Sequence, residues 1–414
     1  DDILAYYVWI PRYSYRIPIV SCSTISNPTY DDYPFCYSYV LSDNNKTSLI
    51  NWWQSYAAEK LGSYTLEQAT QDVNTGMKNG SFTVAGVGEL LFTDMIGFYN
   101  EQNDPDITYT IEFNSSKNFT GPREIDIVFE NKTTTKQTGD AIDTYYTHPA
   151  FTFGDTELNG IWVGKFETAG STDTPTIKGN NASLISQNVS TQFSIAQKLG
   201  TNIYGSTSKV DSHMMKNSEW GAVAYLSHSK YGTNKEIRIN NYWNNKKTLT
   251  GCGANTDDET LSDTCGIVYG KATSYPQSTT GNITGIFDMS GGAYEYVMGY
   301  YSGASTTWGA NSNKNYAGFS SKLASKYFDD YTTTDPLTAC NGGICYGHAL
   351  SETSNWYADP AYFVDAEFSW FLRGADCSGG ANAGAFEFGG SYGIAGGVGA
   401  DIYGFRAVLS LIGT

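Results

Sequence analysis

Gly285-Ile-Phe-Asp-Met-Ser-Gly-Gly-Ala-Tyr-Glu-Tyr296 is the stretch on which the reading of this chain turns. It lies where two helical segments have given way to loops and short strands. Its aromatic residues supply core area at strand ends. Its glutamate, Glu295, is suited to accept hydrogen bonds from loop amides or from an arginine. Downstream stand Trp370-x-x-Arg-Gly374 and Gly404-Phe-Arg-Ala407. Arg373 and Arg406 are planar donors of the kind that pin irregular loops through carbonyls and carboxylates.

Upstream, Ser218–His228 reads as a helix with Trp220, Val223 and Ala224 on one side. Ser190–Gly200 reads as another, with Ser190 as N-cap, Phe193, Ala196 and Leu199 sharing a face, and Gly200 as the stop. Ile161–Glu167 reads as a strand. So does Ala5–Pro18, rich in aromatic and β-branched residues; Pro11 within it predicts a sheet edge or a bend. The stretch 21–140 differs in character. Trp52–Leu61 reads as a helix ending at Gly62, and Thr65-x-x-Gln68 as a capping box opening a second one. The rest of that stretch is polar and strand-like. No tandem repeat is present. Two helices among short strands and long turns predict an α+β fold. The predicted organisation is a first strand in 1–20, an inserted subdomain in 21–140 and the main domain in 141–414.

The 414 residues carry a formal net charge of -17, a field that repels phosphate backbones and anionic headgroups. Nucleic acid is therefore not an expected partner. No apolar run approaches the roughly 18 residues of a membrane span, so no membrane insertion is expected. Only 16% of residues are charged, against about 25% in an average domain, while Tyr (32) and Gly (44) abound. Such an uncharged polar surface also suits recognition, because tyrosine offers large contact area at low entropy cost. The chain opens on Asp1 rather than Met, as expected of a processed or trimmed chain.

Seven cysteines allow three loop-closing pairs: Cys22 with Cys36, Cys252 with Cys265, and Cys340 with Cys345. Six cysteines permit fifteen connectivities, so other pairings stay open. Short closed loops fit an oxidising compartment. Cys377 is left over.

These landmarks together resemble the formylglycine-generating-enzyme (sulfatase-modifying factor) branch of the C-type lectin fold. Val8-Trp-Ile-Pro-Arg-Tyr13 resembles the family's opening V-x-I-P-G-G strand, with Arg12 and Tyr13 replacing two glycines. Met214-x-x-x-Ser-Glu-Trp220 resembles its T-E-A-E-W helix start. Residues 285–296 resemble G-L-Y-D-M-x-G-N-V-W-E-W, 370–374 resemble R-G-G-S-W, and 404–407 the terminal G-F-R. The resemblance implies a C-type lectin-like α+β domain with an inserted subdomain; 21–140 has no counterpart in it.

What it implies chemically is selective. The family's oxidase uses two cysteines five residues apart, just after R-G-G-S-W. Here Cys377 stands near the first position and Asn382 five later, so the two-thiolate copper site cannot form and no enzyme is expected. The family's G-N-V-W-E-W loop holds calcium through backbone oxygens and its glutamate. The matching positions are Gly292, Ala293 and Glu295; the resemblance implies calcium there or no cofactor, and Gly292 in place of the asparagine removes one ligand oxygen. Of the four histidines, His148, His213, His228 and His348, His213 and His228 read as packing or capping residues. No G-x-S-x-G elbow and no dinucleotide or phosphate loop appears.

The C-terminal segment 370–410 is the candidate variable region. Asp376, Cys377, Ser378, Gly379, Gly389, Gly390, Ser391, Tyr392 and Ile394 can each arise from an Asn codon by changes at its adenines alone. This resembles proteins diversified by diversity-generating retroelements; a Gly-rich terminal loop with drifted residues would read the same way. Ala375, Asp401 and Tyr403 complete the expected ligand-binding set. The function expected is a non-catalytic extracellular or cell-surface binding protein, an adhesin or receptor-binding protein on a cell, a pilus or a phage tail. Its partner would be a surface protein or a glycan. An enzyme on the same scaffold and a structural surface or pilus subunit are the alternatives.

Overall fold

The computed structural model describes residues 3–412 except 31–35, 86, 131–144, 205–208, 255–259, 313, 335–338, 340–344, 355 and 390–395. It is a mixed α and β structure of many small sheets, in two compact units: Asp1–Pro18 with Pro122–Thr414, and Ile19–Gly121.

The larger unit begins on a strand that changes sheets. Tyr7–Pro11 is an edge strand of a four-stranded antiparallel sheet, beside Gly160–Gly164, then Ala407–Leu411, then Val210–Met214. Trp9, Trp162, Leu409 and Ser212 lie in one row across it. Tyr13–Arg16 belongs instead to a three-stranded sheet between Tyr146–Thr147 and Asp126–Phe129. The single strand expected over Ala5–Pro18 is thus two. The fully buried Arg12 stands at the crossing and pairs with Glu157 at 2.7 Å. Pro11 lacks an amide hydrogen, which suits it to the edge strand just before that crossing.

The second main sheet is built on Tyr294–Tyr301, the strand that begins inside the motif. Trp370–Arg373 runs antiparallel along one side, followed by Phe388–Gly389. Tyr403–Phe405 and Asp329–Tyr331 run parallel to its two ends on the other side. The chain therefore leaves this sheet at Phe405 and enters the four-stranded sheet at Ala407, with buried Arg406 at the crossing.

Both expected helices of the larger unit form, with different limits. Val189–Tyr204 starts one residue before Ser190, and Asn188 accepts the Thr191 amide at 3.0 Å as the cap. It also continues past Gly200. A Cβ at Gly200 would lie 2.5 Å from the Ser212 Cβ, so this glycine permits close approach to the Val210–Met214 strand rather than ending the helix. Asn217–Ser227 is buried nearly all round, not on one side. Asp329 accepts the Ser218 amide at 2.7 Å, and Glu219 accepts the Lys216 amide at 2.8 Å.

The smaller unit has its own core of Leu49, Trp53, Val73, Phe82, Phe92 and Ile96 among others. Its first helix is longer than expected, Asp43–Leu61, because Ser42 caps a polar opening turn that shows no apolar period. Gly62 closes it in the left-handed region. The Thr65–Gln68 capping box is present in both directions. A third helix, Phe92–Gln102, stands where only strand-like sequence was read. The expected second boundary near 140 moves to 121. Asp126–Phe129 pairs with Tyr13–Arg16 and so belongs to the larger unit.

Cys22–Cys36 and Cys252–Cys265 are disulfides. Cys345 is disulfide-bonded too, and Cys340 lies outside the described residues. Cys377 is a free, buried thiol. No helix among the described residues is long and apolar enough to cross a membrane.

Candidate functional site

The turn 290–294 joins the C-terminal segments to one another. Gly291 and Gly292 both have positive φ (72° and 79°), which glycine adopts without a Cβ clash. The Gly291 amide donates to Gly374 O at 2.8 Å, and the Cys377 amide donates to Gly292 O at 2.8 Å. The Tyr294 amide donates to Ile402 O at 2.9 Å. One turn thereby anchors both the loop after Arg373 and the loop before Tyr403. The Ala293 amide donates to buried Glu167, 2.9 Å away.

The loop after Trp370–Arg373 rests on buried charges. Arg373, wholly buried, donates to Asn217 Oδ1 at 3.1 Å and to the carbonyls of His348, Ala349 and Ala385. Glu387 accepts the Ala375 amide at 3.1 Å, and Asp359 accepts the Phe386 amide at 3.1 Å. Burial pushes the Glu387 carboxyl up to about 8, against the pull of Arg373, and Asp359 up to about 7. Each meets a loop amide through a hydrogen bond whose loss would leave a buried group unsatisfied.

On this frame the expected site residues divide. Ala375, Asp376, Cys377, Gly389 and Tyr403 are buried. Asp376 accepts from the Ser378 amide at 2.8 Å and from its hydroxyl at 2.5 Å, so it shapes the turn beneath the surface. Tyr403 packs edge-on against Tyr294 and Tyr296. Cys377 is 2% exposed and burial pushes its thiol up to about 12, which suppresses thiolate chemistry. Ser378 and Asp401 are exposed and Gly379 half-exposed; Asp401 meets Lys246 at 3.2 Å. Ala381 and Asn382, not in the expected set, are exposed beside them on a short 3-10 turn, Gly380–Asn382. Gly390, Ser391, Tyr392 and Ile394 lie outside the described residues. The supporting carboxylates Glu167, Asp359 and Glu387 carried no sequence signal, because each accepts from a loop backbone amide that no side-chain pattern marks.

Gly292, Ala293 and Glu295 do not fit a calcium ion. Calcium needs six to eight oxygen ligands. Both Glu295 oxygens accept from Arg406, Gly292 O accepts from Cys377, and Ala293 presents its amide to Glu167. A Cβ at Gly292 would lie 2.2 Å from Glu167 Oε1, so an asparagine there would have to displace the Glu167 carboxylate. Among the described residues no group of three or more His, Cys, Asp or Glu side chains is arranged to hold a metal ion.

The histidines are held in packing. His213 is buried between Asp211 (3.3 Å) and Glu219 (3.0 Å) and stacks on Phe153. His148 accepts the Ala150 amide, and His228 sits among Trp356, Tyr357 and Phe386. His348 bonds the Tyr331 hydroxyl at 2.6 Å.

No family model matches the chain, and no curated protein matches it. Among solved structures it is similar to Treponema denticola variable protein 1, at 13% identity and a TM-score of 0.28, over 61% of this chain and 85% of that one. It is also similar to Major Tropism Determinant U1 Variant, at 14% identity and a TM-score of 0.29, over 74% of this chain and 70% of that one. Both scores are low.

Proposed function

We propose that this chain is a non-catalytic extracellular ligand-binding protein, an adhesin or receptor-binding protein, whose larger unit is C-type lectin-like and related to the formylglycine-generating-enzyme branch. Ligand is taken by the outer surface of 374–403, with Ser378, Gly379, Ala381, Asn382 and Asp401 as its exposed part. The observation that carries this reading is the contrast between frame and surface. The segment's backbone is held by buried Arg373, Asp359 and Glu387 and by the 290–294 turn, while short side chains without packing duties face outward. A rigid scaffold displaying replaceable loop residues is the usual division of labour in recognition. Two disulfides are in keeping with an extracellular setting. The expected partner is a surface protein or a glycan. The residues of 376–394 that an Asn codon reaches by changes at its adenines alone are in keeping with diversification by a retroelement.

Two experiments test this. Arrays of cell-surface proteins and glycans are probed with the chain and with a variant carrying Ser378→Arg, Asn382→Arg and Asp401→Arg. A ligand lost by the folded variant supports the site; one bound equally by both refutes it. Sequencing the locus tests diversification. A near-copy of the codons for 370–410, differing only at adenines beside a reverse-transcriptase gene, is expected, and its absence removes that part of the reading.

A further inference from the structure

The smaller unit carries a pair of strands rich in aromatic side chains. Its strand Thr110–Phe113 is exposed at every residue and pairs with Tyr37–Val40, with Tyr39 opposite Ile111 and Tyr37 opposite Phe113. Strand alternation puts these four side chains on one face. Beside them is a depression of about 500 Å³ lined by Tyr30, Tyr39, Thr93, Tyr109, Thr110 and Ile111. Tyr30 is 37% exposed, Tyr109 42% and Ile111 37%. Scattered exposed apolar residues are ordinary; here several of them gather around one depression.

The rings are fixed before any ligand arrives. Tyr39 meets Tyr109 edge-on at 5.1 Å and Phe92 at 5.4 Å. Its hydroxyl lies 3.2 Å from that of Tyr30, whose ring meets Tyr37 edge-on. Burial and the Tyr30 hydroxyl hold the Tyr39 phenol above its ordinary value, so it stays neutral.

The lining selects a class of ligand. None of the six side chains is charged, in a chain of net charge -17. An ionic ligand would find no counter-charge there. Aromatic edges and faces accept aliphatic C–H surface, and five hydroxyl groups offer donors and acceptors. A ligand with apolar C–H faces rimmed by neutral hydroxyls answers both features. The volume lies within the range of small-molecule sites. We propose that this depression binds a neutral saccharide of one or two pyranose rings. The proposal is independent of the 374–403 surface.

Saturation-transfer NMR on the whole chain tests it, using glucose, galactose, mannose, N-acetylglucosamine, lactose and maltose as probes. At least one sugar is expected to bind. Tyr30→Ala with Tyr109→Ala should weaken it about tenfold or more, since losing two ring contacts removes at least 1.4 kcal/mol. Tyr362→Ala, at an exposed tyrosine of the other unit, should leave it unchanged. Tyr109→Phe keeps the ring and should weaken binding less than the double variant does, which separates recognition from misfolding. Binding of no sugar in the panel overturns the proposal, as does equal binding by the folded double variant. A proline-rich peptide that binds here when no sugar does overturns it too.

Discussion

Arg406 donates from Nε to Glu295 Oε2 at 3.0 Å and from Nη2 to Oε1, and neither side chain is more than 1% exposed. Arg406 also reaches Gly164 O at 2.9 Å and Asp288 O at 3.2 Å. One guanidinium thus ties the sheet strand Tyr294–Tyr301 to the four-stranded sheet at the point where the chain crosses between them. Breaking a buried pair from one side leaves an uncompensated charge, at a cost of about 3–5 kcal/mol. Arg406→Met should therefore lower the urea unfolding free energy by about that much. Glu295→Met with Arg406→Met should lose less than Arg406→Met alone. A loss under about 1 kcal/mol for Arg406→Met would mean the brace carries little.

Calcium should not stabilise the protein through this turn. A ligand that binds the folded state raises its melting temperature by mass action. Because the turn's oxygens already accept from Arg406 and Cys377, millimolar calcium and chelator should give the same thermal midpoint by calorimetry. Gly292→Asn should destabilise without creating calcium dependence, because its Cβ meets Glu167. A calcium-dependent midpoint lost in Glu295→Gln would reverse this conclusion.

Glu352 gives a pH dependence of known sign. It accepts from the Tyr15 and Tyr225 hydroxyls at 2.8 Å each and from the Gly347 amide at 2.6 Å, and burial still pushes its carboxyl up to about 7. The folded value lies above the unfolded one, near 4.5. Its contribution is full below the unfolded value and is lost as pH rises through the folded value, at up to about 1.4 kcal/mol per pH unit. Glu352→Gln stays neutral and lacks this loss. Denaturation at pH 5 and pH 8 should therefore show the variant gaining on the wild type with rising pH. A constant difference would show that Glu352 ionises normally in the fold.

Gly200→Ala sets two effects against each other. Alanine gains about 1 kcal/mol of helix propensity over glycine. Its Cβ would also sit 2.5 Å from the Ser212 Cβ, and overpacking costs about 1–3 kcal/mol. A net destabilisation of about 1 kcal/mol is expected by urea titration, whereas Gly97→Ala, where a Cβ meets nothing, should stabilise its helix. Stabilisation at Gly200 would show that the helix can shift away from the strand.

Much of the local structure was legible. The Thr65–Gln68 box, the Gly62 stop and the two closed disulfide loops rest on partners within a few residues to fourteen in sequence. The strand Tyr7–Pro11 was legible from its β-branched and aromatic residues. Features whose cause is distant were read incompletely. The helix Asn217–Ser227 forms within one residue of its expected limits, but it is buried nearly all round rather than along one stripe, and Asp329, 111 residues away, accepts an amide of its first turn. Asp376 and Cys377 carry the composition of a displayed loop, yet a turn eighty residues upstream draws their backbone inward.

The sequence by itself determined the mixed α and β class and the acidic, tyrosine-rich character, and it offered the pairing of nearby cysteines as one of several. Composition and short-range spacing are enough for those. Tertiary structure alone decided where the chain changes sheets, that Arg406 meets both Glu295 oxygens a calcium ion would need, and which of the described residues of 374–403 reach solvent. The reason is physical: each depends on satisfying buried charges and amides with partners outside the local segment, 12 residues away for Glu387 and Ala375 and 111 for Arg406 and Glu295, and no local pattern encodes that choice.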